Sequence, residues 1–227
     1  MVEFQLPKGF LLGSATSATQ IEGGDAKNSW YKWCQTPGHI HDGANCFRAA
    51  DHWNRYHEDI QIMKELNHDL YRMGLEWSRI EPEQGKYDKG TITHYRDEIN
   101  LLLQNGIKPL VTLHHFTNPI WFDELGGWEN PGAIELFRKY TEYVVSELGD
   151  LVNDWITINE PNVFLIYGYT RGIWPPGKTD IPAMFKAMRH IVAAHIQSYQ
   201  AIHRIRSEGQ FPGKTLVGVA HHLRVFD

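Results

Sequence analysis

Trp155-Ile156-Thr157-Ile158-Asn159-Glu160-Pro161 is the stretch on which the reading of this 227-residue chain turns. Apolar and polar side chains alternate with the two-residue period of a strand, and Pro161, which has no N–H to give, ends the ladder. The segment therefore reads as a strand that carries an amide, Asn159, and a carboxyl, Glu160, to its carboxyl end. In a parallel barrel that end is the rim where active sites are built. Taken alone, Glu160 also fits a loop glutamate that caps the next helix.

Working outward, four more short apolar runs read as strands: Phe10 to Thr16, Asp69 to Gly74, Lys108 to His114 and Thr215 to His221. Helical patterns lie between them. Trp53, Tyr56, Ile60, Met63 and Leu66 recur every three or four residues and so share one face. Ile92, Tyr95, Ile99, Leu102 and Leu103 repeat the pattern, with Gly106 as a left-handed stop. A third helix presents Phe137, Tyr140, Val144 and Leu148. The fourth starts at Asp180 as N-cap with Pro182 in its first turn, carries Met184, Met188, Ile191, His195 and Ile202, and ends near Gly209.

Alternation of this kind predicts an α/β fold with a parallel sheet, about five strands and four helices. A closed eightfold barrel takes roughly 250 residues even with short loops. Here the stretches Glu22 to Asn45 and Phe116 to Asn130 consume length after strands, so residues 1–227 are expected to form the amino-terminal part of one (β/α)8 barrel domain, with no second domain. Its first and fifth strands would have unpaired edges, which predicts a homo-oligomer or pairing with a carboxy-terminal half-barrel.

Composition narrows the function classes. Hydrophobic residues make up 42% and charged residues 22%, enough for a packed core and too balanced for a disordered chain. A net charge of −5, with no long run of Lys or Arg, argues against nucleic acid or an anionic membrane as partner. No apolar run approaches the roughly 20 residues of a membrane span, and Met1 to Gln20 lacks the pattern of a secretory leader, which suggests a cytoplasmic protein. Cys34 and Cys46 have no CxxC spacing and are expected as free thiols.

A carboxyl at a strand tip with an amide beside it suits glycoside hydrolysis. The acid protonates the departing oxygen, and the amide binds a sugar hydroxyl as charge develops. Other readings of single residues stay open: Gln20 as an ordinary polar loop residue, Arg72 as a structural ion-pair partner, and the pairs His114/His115, His39/His41 and His221/His222 as metal ligands. Against metal, no HExxH element occurs and the fourth strand ends in Asn-Glu. No cofactor is implied. Trp128 and Trp174 stand in loop contexts and are the candidate sugar platforms among the eight tryptophans.

Several segments, in order, resemble glycoside hydrolase family 1. Thr157-Ile158-Asn159-Glu160-Pro161 is similar to that family's TxNEP segment, whose glutamate is the general acid/base. Phe10-Leu11-Leu12-Gly13-Ser14-Ala15-Thr16 followed by Gln20-Ile21-Glu22-Gly23 resembles its first strand and QxEG element, where the glutamine binds sugar hydroxyls. Asp51-His52-Trp53-Asn54-Arg55-Tyr56 resembles its first helix. Tyr71-Arg72-Met73 with Trp77-Ser78-Arg79-Ile80 is similar to its second-strand signature, and Thr112-Leu113-His114-His115-Phe116 to its third-strand end. Gly126-Gly127-Trp128 and Pro175-Pro176-Gly177 are further landmarks.

The resemblance implies a retaining β-glycosidase of β-glucosidase type acting on β-linked glucosides or galactosides. Glu160 would be acid/base, Arg72 would orient the nucleophile, and Gln20, His115, Asn159 and Phe116 would bind substrate. Two departures qualify it. His115-Phe116-Thr117-Asn118-Pro119 stands where the family usually has His-Trp-Asp-Leu-Pro, and no TENG-like nucleophile segment occurs in the 227 residues. The expectation is an inactive or very weak isolated chain with a Glu160 more acidic than in an intact relative. The alternatives are a non-catalytic half-barrel that binds sugar or assembles with a partner half, and a metal-dependent barrel hydrolase.

Overall fold

The computed structural model describes residues 5–223; the first residues of the leader reading therefore lie partly outside the described residues. Five parallel strands pair in chain order: β1 (Gly13–Ala15), β2 (Leu70–Gly74), β3 (Lys108–His114), β4 (Asp154–Asn159) and β5 (Leu216–Ala220). Four long helices cross between or beside them: α3 (His52–Glu65), α5 (Lys89–Gln104), α7 (Ala133–Leu148) and α9 (Ile181–Glu208). This is the expected half-barrel pattern of strand, crossover helix and parallel strand.

The connections hold more structure than the periodicity shows. Short helices α1 (Ala18–Ile21) and α2 (Ser29–Cys34) follow β1, α4 (Trp77–Ile80) follows β2, α6 (Ile120–Glu124) follows β3, and α8 (Pro161–Leu165) with a π-helical turn at Ile166–Thr170 follows β4. Each is too brief to register as a periodic pattern.

Helix ends form where the side chains dictate. Asp88 accepts from the Thr91 N–H at 2.7 Å and Asp180 from the Ala183 N–H at 3.0 Å, each satisfying a donor that the first turn leaves without a partner. Gly106 has φ 76°, the left-handed stop expected of it. The core follows the apolar faces: Ile60, Tyr71, Ile99, Val111, Phe137 and Val144 are all sealed from solvent.

Four expectations need correction. β1 is confined to Gly13–Ala15, because its pairing with β2 runs only over those residues; Phe10, Leu11 and Leu12 before it are each about half exposed. Gly13 is required there: a Cβ would stand 1.9 Å from the Leu70 carbonyl oxygen. Leu66, beyond the end of α3, and Leu103 are exposed rather than buried. Met188 is exposed too, within a stripe on α9 comprising Ile181, Phe185, Met188, Val192, Ile196 and Tyr199. Their spacing of three and four residues marks one helix face, running beside the buried face of Ala187, Ile191, Ala194 and Ile202. Finally, Trp128 is fully buried against His114, Phe122 and Phe137, so it is a core residue and no sugar platform.

Among the described residues no helix is long and apolar enough to cross a membrane.

Candidate active site

β4 delivers its last residues as the alternation requires. Asn159 is buried at the strand end, and Glu160 turns out of the sheet with φ 41° and ψ 58°, a left-handed conformation rare for a glutamate. Two features hold it there. The ladder to β5 is irregular between Ile156 and Asn159, and the Glu160 N–H then donates to the Ala220 carbonyl at 2.7 Å. Pro161 starts α8 directly afterwards. Glu160 therefore stands at the carboxyl end of the sheet with its side chain about one third exposed, Oε1 3.6 Å from His222 Nδ1.

Arg72 rises from β2 and donates from Nη2 to Asn159 Oδ1 at 2.9 Å. The Glu160 charge acts on Arg72, and the Arg72 charge acts in turn on His115. Burial, then Arg72 and His114, push the His115 imidazole down to about 3, so the ring is neutral at ordinary pH. Two buried polar atoms here have no hydrogen-bond partner, His115 Nδ1 and Arg72 Nε. Both suit the hydroxyls of a polyol ligand.

A cleft of about 220 Å³ opens at the same end of the sheet, lined by Gln20, His115, Phe116 and Trp174 together with Trp30 and Cys46. Phe116 has φ 68° and lies 5.0 Å, ring to ring, from Trp174, which meets Trp30 edge-on at 5.5 Å. An aromatic wall facing a few polar groups is the usual make-up of a sugar site. Gln20, His115, Phe116 and Trp174 thus share one cavity. Asn159 and Glu160 are not part of its lining, and Arg72, acted on by Glu160 and acting on His115, is the link between the two clusters.

Sequence reasoning missed Trp30, Cys46, Thr19 and Thr117 as cleft residues. Trp30 was within reach of it, as an aromatic in a long loop after a strand; the others carry no local signal. The replaced segment after His115 is also resolved. Asn118 Oδ1 accepts from His114 Nε2 at 2.9 Å and from Trp128 Nε1 at 3.2 Å, while its amide donates to Asp123 at 2.8 Å. His114 is thereby a core residue, pushed down to about 4 by burial. Cys34 and Cys46 are free thiols. Among the described residues no group of three or more His, Cys, Asp or Glu is placed to hold a metal ion.

Comparison with known proteins follows the same lines. The chain is 36% identical to β-glucosidase A of Acetivibrio thermocellus, over 98% of its own length and 50% of that protein's. It is 43% identical to the coniferin β-glucosidase of Pinus contorta, over 78% of its length and 36% of the relative's. The β-glucosidase of Thermotoga maritima, solved with galacto-hydroximolactam, superposes with a TM-score of 0.90 at 33% identity, covering 95% of this chain and 49% of that one. The chain thus spans about half the length of these bacterial relatives. The family model described as glycosyl hydrolase family 1 matches residues 2–224, and with the strand order, the NEP strand tip and these relatives in agreement, the chain belongs to glycosyl hydrolase family 1.

Proposed function

We propose that this chain carries the proton-donating half of a retaining β-glycosidase site of β-glucosidase type. Glu160 protonates the leaving oxygen and later takes a proton from water. Asn159 and Gln20 bind sugar hydroxyls, His115 adds a further hydrogen bond, Phe116 offers a ring face, and Arg72 orients the nucleophile. The reading is supported above all by the Arg72–Asn159 hydrogen bond, which sets Glu160 beside a guanidinium that also acts on the His115 wall of the cleft.

Hydrolysis with retention uses two carboxyl groups roughly 5 to 5.5 Å apart, one attacking the anomeric carbon and the other acting as acid and base. Glu160 is the second of these. The 227 residues contain no TENG-like segment to supply the first, so the chain by itself is inactive or nearly so. The open edges of β1 and β5 and the apolar stripe on α9 are the surfaces that the remaining part of such a barrel would cover. A compact, stable monomer in light scattering would overturn that last statement; self-association or capture of a carboxy-terminal half-barrel is expected.

The functional test is calorimetry with glucose and cellobiose beside an assay on an aryl β-glucoside. Binding weakened by Gln20→Ala or His115→Ala, without turnover, is the expected result. Absence of any sugar binding overturns the site. Ordinary turnover abolished by Glu160→Gln would overturn the inactivity of the chain while leaving the site in place.

A further inference from the structure

Beneath the cleft, between the loop that follows β1 and the start of α4, two carboxyl groups crowd one serine. Ser78 Oγ lies 2.6 Å from Asp25 Oδ2 and 2.8 Å from Glu76 Oε1. A hydroxyl has a single proton to donate. If both carboxyls were ionised, one of these short contacts would set two acceptors against each other without a hydrogen between them. One carboxyl therefore carries a proton.

The remaining partners identify which. Asp25 is surrounded by donors: Ser78, the Asn28 amide at 2.7 Å and the Lys27 N–H at 3.0 Å. That set suits an anion. Glu76 is sealed from solvent and accepts, besides the Ser78 contact, the Thr19 hydroxyl at 2.7 Å. We propose that Glu76 holds a proton on Oε1, donates it to Ser78, and through Ser78 hydrogen-bonds to an ionised Asp25, and that this bound proton locks together the loops bearing Gln20 and His115.

The connections to those loops are direct. Thr19, which precedes Gln20, donates to Glu76 and accepts from Thr117 Oγ1 at 2.7 Å, and Thr117 stands two residues after His115 in the same loop. Glu76 is thus a positioning residue for both walls of the cleft. The cavity inside this network measures about 10 Å³, room for a water molecule at most, so the network acts by holding its loops rather than by binding a ligand.

Every charged neighbour bears on the proton. Burial and the Asp25 charge push Glu76 up to about 7, against the hydrogen bonds from Thr19 and Ser78 and the Arg79 charge. Glu22, from the loop after β1, faces the same space and is pushed up to about 8 by burial, despite its ion pair with Arg79 and its bond from Tyr95 on α5. Cys46, from the same connection between β1 and α3, also lines the cavity, and Tyr140 on α7 lies within the field of Glu76. With Glu76 raised above an ordinary glutamate, the protonated clamp is present at pH 5 and is lost as the pH rises through about 7.

The test uses the whole chain. In carbon-13 NMR the assigned Glu76 carboxyl is expected to titrate near neutral pH; a Glu76 carboxyl already ionised at pH 5 overturns the proposal. Amide exchange of residues 17–28 and 115–118, corrected for intrinsic rates, is expected to quicken by up to roughly tenfold for each pH unit as the pH rises from the ordinary glutamate range to about 7, and to level off above it. Glu76→Gln, whose amide can donate to Ser78 and accept from Thr19 at any pH, is expected to keep these segments protected up to pH 9. Equal pH dependence in wild type and variant overturns the clamp, and should the variant not fold, the wild-type titration still decides. A role of the clamp in sugar affinity rests on the proposed function, and a failure of glucose binding with the titration intact would sink that function alone.

Discussion

Arg72 on β2 reaches over β3 to bond Asn159 on β4, so two strands that are not neighbours in the sheet are tied at their carboxyl ends. The bond spans 2.9 Å and fixes the residue immediately before Glu160. Asn159→Ala leaves a half-buried guanidinium without this acceptor. The expected cost is about 1 to 3 kcal/mol, the range for a buried polar group deprived of its partner, read from urea denaturation. A loss below the error of that measurement would show the bond to be dispensable.

Glu160 adopts φ 41°, where a side chain crowds the backbone. Left-handed geometry costs a non-glycine residue roughly 1 to 2 kcal/mol. Glu160→Gly is therefore expected to raise stability by about 1 kcal/mol, part of the strain relief being offset by the greater chain entropy of glycine. A melting temperature unchanged or lowered would indicate that the glutamate side chain holds the turn by contacts of its own.

Trp128 and Trp174 separate core from cleft. Trp128→Ala removes a fully buried indole packed on Phe122 and Phe137, for an expected loss of about 3 to 5 kcal/mol. Trp174→Ala, at the half-exposed cleft wall, is expected to cost less stability and more sugar affinity. Chemical denaturation and calorimetry on the two variants check the division, which a reversed order would refute.

His52 is buried between Asp59 Oδ2 at 2.6 Å and Glu98 Oε1 at 3.0 Å. Burial opposes the charged ring, but the bonds to Glu98 and then to Asp59 outweigh it and push the imidazole up to about 9. The folded value lies above the unfolded one, so this stabilisation is complete below about pH 6.5 and disappears as the pH rises through about 9. The share at stake is at most about 3 kcal/mol, from the free energy per pH unit. His52→Gln should flatten the fall of the urea midpoint over that window; an unaltered slope would assign the fall to other groups.

Much of the fold could be read directly from periodicity. The faces of α5 and α7 and the strands Lys108–His114 and Asp154–Asn159 follow the spacing of apolar residues, because burial on one side of a regular element imposes that spacing. The short helices after each strand escaped it, being only four to six residues long. Trp128 was misassigned because a loop context says nothing about depth. Which side of α9 meets the barrel was equally hidden, since Ile181 to Tyr199 offers apolar residues on two faces.

The sequence by itself determined the alternation of elements, the cap at Asp180, and the placement of Asn159 and Glu160 at a strand tip, all properties of local spacing and backbone chemistry. Only the tertiary structure decided that Gln20 and His115 share a cleft, that Arg72 selects Asn159, and that one serine serves two carboxyls. These are contacts between residues dozens of positions apart. Their energies depend on distance and dielectric in the folded sheet, and no local pattern encodes either.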